Sequence, residues 1–390
     1  MNNKPFGKQK RIFAVILSIT FILLFALSAC SQPDVNNNKS YGYNGTVDGV
    51  MFSLSDLGTS ADIHTEIQNE FIAFSKGADY DLNNVLLIAG GTKELSLPMP
   101  IRFSWTASAT SVIDYTLKIS EYEDMSEPLV YSIDSCEAEI YNLKIGTQYY
   151  WTVTANTAEK SVESGVAAFA TNGDYPRNVY IDGVTNCRDL GGYKTQDGKI
   201  VRQGLIYRTG RFNQSGADEA IPEVTEKGKF QALNELRLKT EIDLRKIGET
   251  SNITSSVLGD SVNYVSCPME YTGGILEPNT DEIIHVFSVL ADKNNYPVFF
   301  HCHIGTDRTG MVAYLINGLL GVSQKDLYFD YLFSNFGAIG SSRGTDIIEY
   351  SYVKTIDEYR GSSLNEKIEN YLLDIGVPKK DIDSLKAIML

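Results

Sequence analysis

The pattern of apolar and polar residues divides most of the chain into a β-like part and an α/β-like part. Between residues 97 and 172, apolar and polar positions alternate in several short runs, and one of them contains Ile101, Phe103 and Trp105. A period of two residues with aromatic and β-branched side chains, interrupted by polar turns, is typical of strands with one buried face. We therefore predict an all-β domain over residues 97–172.

Residues 174–390 have a different pattern, in which short apolar runs alternate with stretches of helical spacing. Pro297 to Phe300 is wholly apolar, as expected for a central buried strand, and Gly310 to Leu320 reads as a long apolar helix. This alternation is typical of a parallel sheet with crossover helices. The sequence therefore predicts a multi-domain chain whose last domain is α/β, with a parallel-dominated sheet flanked by helices.

Residues 46–96 give a weaker signal. Ile63, Ile67, Phe71 and Ile72 recur at roughly helical spacing, which predicts one amphipathic helix. We expect this segment to pack on the next domain, and the sequence assigns no function to it.

The N-terminus has the form of an export signal. Lysines and Arg11 precede the uncharged apolar stretch from Ile12 to Leu27, and small residues lead to Cys30. The run Leu-Ser-Ala-Cys resembles the bacterial lipobox, which implies a signal peptide over residues 1–29 and lipidation of Cys30. It also implies a protein anchored by lipid to the extracytoplasmic face of the bacterial cell membrane. A plain transmembrane anchor and a fully cleaved signal are the alternatives. Residues 30–45, rich in Asn, Ser and Gly, read as a flexible tether.

Charge and cysteine content narrow the possible functions. The formal net charge of −15 argues against nucleic-acid binding, so an anionic substrate would need a locally positive pocket. Five cysteines are scattered without a CxxC pair, which does not fit a disulfide scaffold.

The predicted β domain contains a recognisable corner. Leu143 to Tyr149 resembles the Leu-x-Pro-Gly-Thr-x-Tyr corner of fibronectin type III domains, with Ile145 in place of the usual proline. The resemblance implies a β-sandwich. Such a domain could bind a substrate or the cell wall, or it could be a spacer.

The strongest chemical signal follows the apolar strand. Cys302 and Arg308 are separated by five residues, and a helix is expected to start near Arg308. A loop that ends at a helix N-terminus directs amide groups inward, and an arginine can grip two phosphate oxygens. The predicted phosphate-binding loop consists of His303, Ile304, Gly305, Thr306, Asp307 and Arg308. This environment should lower the pKa of Cys302 and make it a nucleophile, with Thr309 donating a hydrogen bond to its sulfur.

The spacing predicts a two-step phosphoryl transfer. Cys302 would displace the alcohol or phenol and form a phosphocysteine, which water then hydrolyses. Asp307 lies beside Arg308 and is the candidate acid for the first step and base for the second.

The run from His301 to Gly310 resembles the cysteine phosphatase signature. Its Gly-x-Asp-Arg-Thr-Gly form is similar to the bacterial tyrosine-protein phosphatase family with atypical dual or triple specificity. Further matches are Asn186 to Gly192, Gly204 to Gly210, and Ile242 to Arg245 with Glu249. The resemblance implies a protein-tyrosine phosphatase that acts on phosphorylated proteins or small phosphomonoesters and needs no cofactor. Members of this family also act on phosphoserine, phosphothreonine and phosphoinositides, so the resemblance allows these substrates too. It further implies that the site is supported by His301, Thr309, Arg188, Asp189, Asp243 and Arg245.

Two positions depart from the family pattern. Thr306 stands where relatives often carry a lysine that recognises multiply charged lipids, which weakens the expectation of phosphoinositide activity. Cys187 replaces the usual phenylalanine. It could form a protective disulfide with Cys302, or it could be a small buried hydrophobic residue.

The same residues allow other interpretations. His301, Cys302 and His303 could be metal ligands, but no CxxC or HxxxH pair supports a metal site. Gly340 to Gly344 fits the hydrolase pattern Gly-x-Ser-x-Gly without a preceding apolar strand, so a loop at the rim of the pocket is the better interpretation. The aromatic residues of the run Asp330 to Asn335 read as core. The alternative to an enzyme is an inactive phosphate-binding module displayed on the cell surface.

Overall fold

Alternating apolar residues in the first half of the chain form two antiparallel sheets that share one hydrophobic core. The structure is a computed structural model that describes residues 41–77, 81–271 and 276–390. The strands of this β region are β1 (Tyr43–Val47), β2 (Val50–Leu54), β3 (Ile101–Ala107), β4 (Val112–Ser120), β5 (Leu129–Ile133), β6 (Glu137–Ile140), β7 (Gln148–Thr157), β8 (Ser161–Glu163) and β9 (Ala167–Ala170).

One sheet has the order β1-β2-β3-β6, and the other has the order β5-β4-β7-β8 with β9 also paired to β7. Phe103 of the first sheet meets Trp151 and Phe169 of the second in edge-to-face contacts, with ring centroids 5.0 and 5.4 Å apart. These contacts lie in the centre of a core that both sheets supply.

The β region begins earlier than the predicted boundary at residue 97. The hairpin β1–β2 joins the first sheet, because Phe52 pairs with Ala107 and Leu54 pairs with Trp105. Tyr43, Asn44 and Gly45, assigned to the tether, are part of β1. The buried apolar residues of β2 are Val50, Phe52 and Leu54. This alternation is too short to predict a strand clearly from the sequence.

The segment between β2 and β3 contains α1 (Glu66–Ser75) and α2 (Val85–Ile88), joined near a 3₁₀ turn at Leu82–Asn84. Thr65 caps α1 in a capping box with Gln68. Residues 65–97, of which 78–80 lie outside the described residues, are called the strap below. Phe71 of the strap stacks on Phe329 at 4.9 Å and contacts Phe333 and Phe336. The helix therefore packs on the C-terminal α/β region, and not on the β domain that follows it in sequence.

The C-terminal region is built around a five-stranded sheet with the order β10-β11-β16-β14-β15. Its strands and a small hairpin are β10 (Arg188–Asp189), β11 (Ile206–Thr209), β12 (Asn213–Ser215), β13 (Ala220–Pro222), β14 (Thr240–Asp243), β15 (Asn263–Ser266) and β16 (Val298–His301). Pairings β11–β16, β16–β14 and β14–β15 are parallel, whereas β10 pairs antiparallel with β11.

Most helices of this region pack on the sheet face of Val298 and Phe300, whereas loops and a π-helical turn cover the face of Phe299. The helices are α3 (Glu226–Phe230), α4 (Thr280–Leu290), α5 (Asp307–Leu319), α6 (Gln324–Leu332), α7 (Thr345–Ile348), α8 (Lys354–Asp357), α9 (Leu364–Ile375) and α10 (Lys379–Met389). Turns of 3₁₀ helix lie at Ile247–Glu249, Glu277–Asn279, Lys293–Asn295 and Phe333–Phe336, and π-helical turns lie at Gln231–Glu235 and Glu349–Val353. Every residue of α5 is buried, so this helix forms the centre of the larger core.

The predicted signal peptide and lipidation site at Cys30, with the tether as far as residue 40, lie outside the described residues. Within the described ranges, no helix combines the length and apolar character needed to cross a membrane.

Candidate active site

The site forms where the central strand of the sheet meets the N-terminus of α5. β16 is buried between β11 and β14, Cys302 follows its last residue, and α5 starts at Asp307. The first amide groups of a helix lack partners within the helix, and they carry partial positive charge. Thr306 stands at the N-cap without capping them through its side chain. These amides therefore remain available to an anion at the loop.

The loop between Cys302 and Asp307 packs tightly on the end of β11. Gly305 has φ +71°, and a Cβ atom there would lie 2.4 Å from the carbonyl oxygen of Thr209. Arg208 donates from Nη2 to the carbonyl oxygen of Gly305 at 2.9 Å. Asn186 donates from Nδ2 to the carbonyl oxygen of Ile304 at 3.0 Å. Hydrogen bonds from Arg208 and Asn186 thus fix the carbonyl groups on one side of the loop, and the opposite side of the loop can face a ligand.

Arg308 is oriented by a carboxylate. Its two terminal nitrogens donate to the carboxylate oxygens of Glu249 at 2.7 and 3.2 Å. Burial alone would raise the pKa of Glu249, but the hydrogen bond and charge of Arg308 outweigh burial and lower it. The buried Nε of Arg308 has no hydrogen-bond partner in the part of the chain that the structure describes. This donor is therefore available for an oxyanion.

A cavity of about 220 Å³ opens above the loop. Cys302 lies at its base with 2% of its surface exposed, and its thiol is free. The lining residues are Glu249, Tyr271, Cys302, His303, Ile304, Asp307, Arg308 and Arg343. Thr309 does not donate the predicted hydrogen bond to the sulfur, since its buried hydroxyl has no partner among the described residues.

Asp307 is held as part of a carboxylate–arginine pair. Arg343 donates from Nε and Nη2 to the two carboxylate oxygens, at 3.1 Å each. The hydroxyl of Tyr331 donates to Oδ1 at 2.8 Å. Asp307 therefore has a fixed orientation at the cavity, with a cation and a phenol as its partners.

His301, at the end of β16, and His303, in the loop, have separate roles. His301 Nε2 lies 2.9 Å from Glu241, and its Nδ1 lies 3.2 Å from the carbonyl oxygen of Cys302. Glu241, Asp243 and His301 are close enough to form a metal cluster, but hydrogen bonds already account for their contacts. His301 thus orients the start of the loop. His303 is half exposed, and burial together with the charge of Arg211 lowers its pKa.

Arg188 belongs to a buried network behind the loop. Arg188 of β10 and Arg208 of β11 both bind Asp330 of α6, and Tyr193 donates to the same carboxylate at 3.0 Å. Asp189, the neighbour of Arg188, is not part of this network. It binds Arg177 at 2.7 Å and accepts from the amides of Gly191 and Gly204.

Asp189, predicted to support the site, stabilises a turn instead. Neighbouring residues of a strand point to opposite faces, so Arg188 joins the Asp330 network behind the loop and Asp189 does not. Arg177, its partner, also donates to the carbonyl oxygens of Asn142 and Leu143 and so links this turn to the β region.

Asp243 and Arg245 support the neighbouring strand end. Arg245 binds both oxygens of Asp243, and it donates to the backbone and side-chain oxygens of Asn213 at 2.6 and 2.9 Å. Tyr264 also donates to Asp243 at 2.9 Å. The pair does not line the cavity, and it lies next to His301.

Cys187 lies in a different hydrophobic cluster from Cys302. It packs with Tyr207, Phe212 and Phe299, whereas Cys302 packs in the cluster that contains Phe300. Phe299 and Phe300 are neighbours on β16 and face opposite sides of the sheet. Both thiols are free, and burial raises the pKa of Cys187 to about 12. These contacts fit the buried hydrophobic residue and not the protective disulfide.

Sequence reasoning missed several residues of the site. Tyr271 at the rim and Arg343 had no assigned role, and Tyr331 was read as core. Arg343 lies in the loop that matched Gly-x-Ser-x-Gly. Because that loop was predicted to lie at the rim of the pocket, its arginine could have been recognised as a candidate site residue. Asp330 could also have been recognised from the sequence, because a carboxylate in a buried aromatic helix needs a positively charged or hydrogen-bonding partner.

Comparisons with known proteins agree on one class. A family model described as "Tyrosine phosphatase family" matches residues 179–390. A protein of Cupriavidus necator named "Putative tyrosine-protein phosphatase" is 28% identical over 205 residues, covering 46% of this chain and 70% of that protein.

Two solved structures also match part of the chain. The core catalytic domain of the PP-IP phosphatase Siw14 from S. cerevisiae, in complex with citrate, is 15% identical with a TM-score of 0.27, covering 40% of this chain and 87% of the other. A second structure of the Siw14 catalytic core is 14% identical with a TM-score of 0.28, covering 45% and 89%.

Proposed function

This chain belongs to the tyrosine phosphatase family and is a phosphatase, and from that premise we propose that it hydrolyses protein phosphotyrosine through a phosphocysteine on Cys302. One observation carries the proposal. Cys302 lies at the base of a cavity formed by a helix N-terminus, with Arg308 held across it by Glu249. This arrangement can bind a tetrahedral dianion and align a sulfur nucleophile behind its phosphorus.

In the first step, the thiolate of Cys302 attacks phosphorus and the bond to the tyrosine oxygen breaks. Asp307 gives its proton to that oxygen, and the amides of the loop with Arg308 bind the three equatorial oxygens. In the second step, water attacks phosphorus, Asp307 takes its proton, and the sulfur–phosphorus bond breaks to release phosphate and the thiolate.

Finer points of this proposal rest on the sequence. Phosphoserine and phosphothreonine are possible further substrates, and Thr306 in the loop counts against phosphoinositides. We also propose that residues 97–172, with the hairpin β1–β2, form a fibronectin type III-like sandwich. Lipidation of Cys30 would hold the protein on the extracytoplasmic face of the membrane, and incorporation of a labelled fatty acid is its direct test.

The test uses the full chain, solubilised in a mild detergent and assayed under reducing conditions. We expect phosphate release from a phosphotyrosine peptide, and a fall on the order of 10⁴-fold or more in Cys302→Ser. The exposed cysteine provides the matched control, and Cys136→Ser should keep full activity. An acid quench should trap the phosphoryl group on Cys302.

The role of Asp307 is tested by varying the leaving group. Asp307→Asn should lose about 100-fold or more on the phosphotyrosine peptide, and far less on an aryl phosphate whose phenol leaves without protonation. Equal losses of activity on both substrates would show that a residue other than Asp307 protonates the leaving group. Phosphotyrosine binding without any phosphate release would favour the inactive phosphate-binding module.

A further inference from the structure

The peptide groups of the phosphate-binding loop are oriented by two side chains that lie behind it. Asn186 donates to the carbonyl oxygen of Ile304 at 3.0 Å. Arg208 donates from Nη2 to the carbonyl oxygens of Gly305 and Thr306 at 2.9 and 3.3 Å. These carbonyl groups belong to three consecutive trans peptide bonds, in which the carbonyl and the following amide point in opposite directions. Each contact behind the loop therefore turns one amide toward the front of the loop.

The amides that are turned in this way belong to Gly305, Thr306 and Asp307. Among the residues that the structure describes, no protein group accepts a hydrogen bond from any of the three. The cavity above Cys302 lies on the side of the loop opposite Arg208, which is fully buried and does not line it. Three adjacent amides without partners, at the start of a helix, form a site for a tetrahedral anion.

The loop backbone alone would not maintain this direction. Gly305 has φ +71° and no side chain, so the peptide groups on either side of it can rotate more freely than those of other residues. A peptide group turned by half a rotation would direct its carbonyl oxygen, and not its amide, into the cavity. That oxygen carries partial negative charge and would repel an oxyanion. The contacts to Arg208 and Asn186 oppose this arrangement, because the rotation would break them.

Both contacts depend on one carboxylate, that of Asp330 in α6. Arg208 binds this carboxylate through Nη1 while its Nη2 reaches the loop. Arg188 donates from Nε to the same carboxylate at 2.8 Å and from Nη1 to Oδ1 of Asn186 at 2.5 Å. Because Oδ1 of Asn186 is engaged there, its Nδ2 is directed to the carbonyl oxygen of Ile304. The four polar side chains are buried, with 0–4% of their surface exposed, so water does not compete for these hydrogen bonds.

Resting on the proposed function, we propose that Arg208 and Asn186 are positioning residues that determine which way three peptide groups of the phosphate-binding loop face. Neither residue contacts the substrate or the reacting atoms. They hold the carbonyl oxygens away from the cavity, and the amides that follow those carbonyl groups consequently face the oxygens of the phosphoryl group. The anion site is thus completed by side chains that lie outside the run containing the nucleophile.

The experiment measures sulfate binding to the full chain by calorimetry, in a mild detergent and under reducing conditions. Sulfate is a tetrahedral dianion that the protein cannot hydrolyse, so its dissociation constant reports on the anion site without requiring catalysis. Calorimetry also gives the number of binding sites. A variant that merely unfolds in part loses sites, whereas a variant whose loop amides turn away binds sulfate more weakly at every site.

Arg208→Lys tests the contacts to Gly305 and Thr306. Lysine keeps a cation beside Asp330 and leaves the net charge unchanged, but it lacks the planar fork that reaches the carboxylate and the loop together. We expect sulfate to bind about tenfold more weakly, as for the loss of about one hydrogen bond to the anion.

Asn186→Gly tests the contact to Ile304 separately. Asn186 has φ +59°, which glycine adopts without strain, and the substitution changes no charge. We expect a loss of sulfate affinity of about tenfold here too.

Tyr193→Phe is the matched control for both variants. The hydroxyl of Tyr193 donates to the same carboxylate of Asp330 at 3.0 Å, and it does not bind the loop carbonyl groups. Its removal therefore disturbs the buried network and leaves the loop contacts in place. We expect the sulfate affinity of this variant to equal that of the unmodified protein.

Hydrolysis of a phosphotyrosine peptide provides a second measurement. In Arg208→Lys and Asn186→Gly, kcat/KM should fall by about tenfold or more, because the same amides bind the oxygens on which charge develops in the transition state. Tyr193→Phe should keep the kcat/KM of the unmodified protein.

Unchanged sulfate affinity in either loop-contact variant would remove that residue from the scheme. If Arg208→Lys does not fold, Asn186→Gly still tests the orientation of the loop. An equal loss of affinity in Tyr193→Phe would contradict the proposal, because a general loosening around Asp330 would then be the cause.

The proposed function is judged separately from this inference. Weaker sulfate binding by the two variants of a protein that does not hydrolyse phosphotyrosine would overturn the proposed function and support the positioning role. Failure of the unmodified protein to bind sulfate would overturn the anion site and the positioning role together.

Discussion

Gly305 determines how closely the phosphate-binding loop approaches β11. Its positive φ would strain the backbone of any residue with a side chain, and an added Cβ atom would clash with the carbonyl oxygen of Thr209. The carbonyl group of Gly305 is also a hydrogen-bond acceptor for Arg208. A single methyl group at this position should therefore displace the loop that faces the substrate.

Gly305→Ala is expected to lower phosphatase activity by about 100-fold or more, since a displacement of about 1 Å in a catalytic loop can cost that much. Gly198→Ala is the matched control. Gly198 has φ +87°, and a Cβ atom added there would have no other atom within 4 Å. Gly198→Ala therefore introduces the same kind of backbone strain as Gly305→Ala without a steric clash. Steady-state rates on a phosphotyrosine peptide are the measurement. Equal activities of the two variants would show that the clash does not matter.

Asp330 compensates two buried arginines at once. Burial alone would raise the pKa of Asp330, but Arg188 and Arg208 outweigh burial and lower it below its ordinary value of 3.8. A carboxylate with a lowered pKa in the folded state stabilises the protein fully above its unfolded pKa. That stabilisation is lost as the pH falls through the folded value.

Asp330→Asn should therefore lower the free energy of unfolding by about 3–5 kcal/mol at pH 7, because both arginines lose their buried partner. The difference from the unmodified protein should be constant between pH 7 and pH 5 and should shrink below about pH 4. Urea unfolding at several pH values measures it, with the exposed Asp218→Asn as control. A difference that persists unchanged at pH 3 would contradict the assignment.

At the scale of elements, the strap determines where the Arg343 loop lies. The amides of Ile339 and Gly340 donate to the carbonyl oxygen of Gly91, and the amide of Gly91 donates to the carbonyl oxygen of Asn335. Glu94 accepts from the hydroxyl of Thr185, and Ser96 accepts from the amide of Asn186. The strap thus supports both the arginine that holds Asp307 and the asparagine that holds the phosphate-binding loop.

Phe71→Ala should test how firmly the strap is attached. Phe71 is fully buried against Phe329, Phe333 and Phe336, so its truncation should cost about 3–5 kcal/mol of unfolding free energy. It should also lower activity, because the Arg343 loop loses its support. The exposed Phe230→Ala removes the same side chain at little cost and is the control. Chemical denaturation and activity are measured together, and loss of stability with unchanged activity would show that the strap does not position the site.

The parts of the site that are close in sequence could be predicted, and the parts joined by tertiary contacts could not. Cys302, Arg308 and the helix start lie within one short run, so their geometry follows from local structure. Arg343 is 36 residues from Asp307, and Glu94 is 91 residues from Thr185. No periodicity brings such residues together, because their contact depends on how the strap and α6 pack.

On the scale of the whole molecule, the net charge of −15 opposes the approach of an anionic substrate. The attraction must come from the cavity itself, where the N-terminus of α5 and the two arginines meet. Because these charges act over a short range, recognition should depend on the phosphoryl group and its immediate surroundings.

The two halves of the molecule are interleaved along the chain. The hairpin β1–β2 belongs to the β region, the strap belongs to the α/β region, β3 to β9 return to the β region, and residues from 174 complete the α/β region. Neither half is a continuous stretch of sequence.

This interleaving constrains how the protein can be made. A nascent chain emerges from its N-terminus, so the strap appears long before β16 and the aromatic residues of α6 that cover Phe71 exist. Its apolar face has to wait, uncovered, while the whole β region is synthesised. A chain interrupted after the β region would have both of its β sheets, but its strap would lack the aromatic residues that cover Phe71.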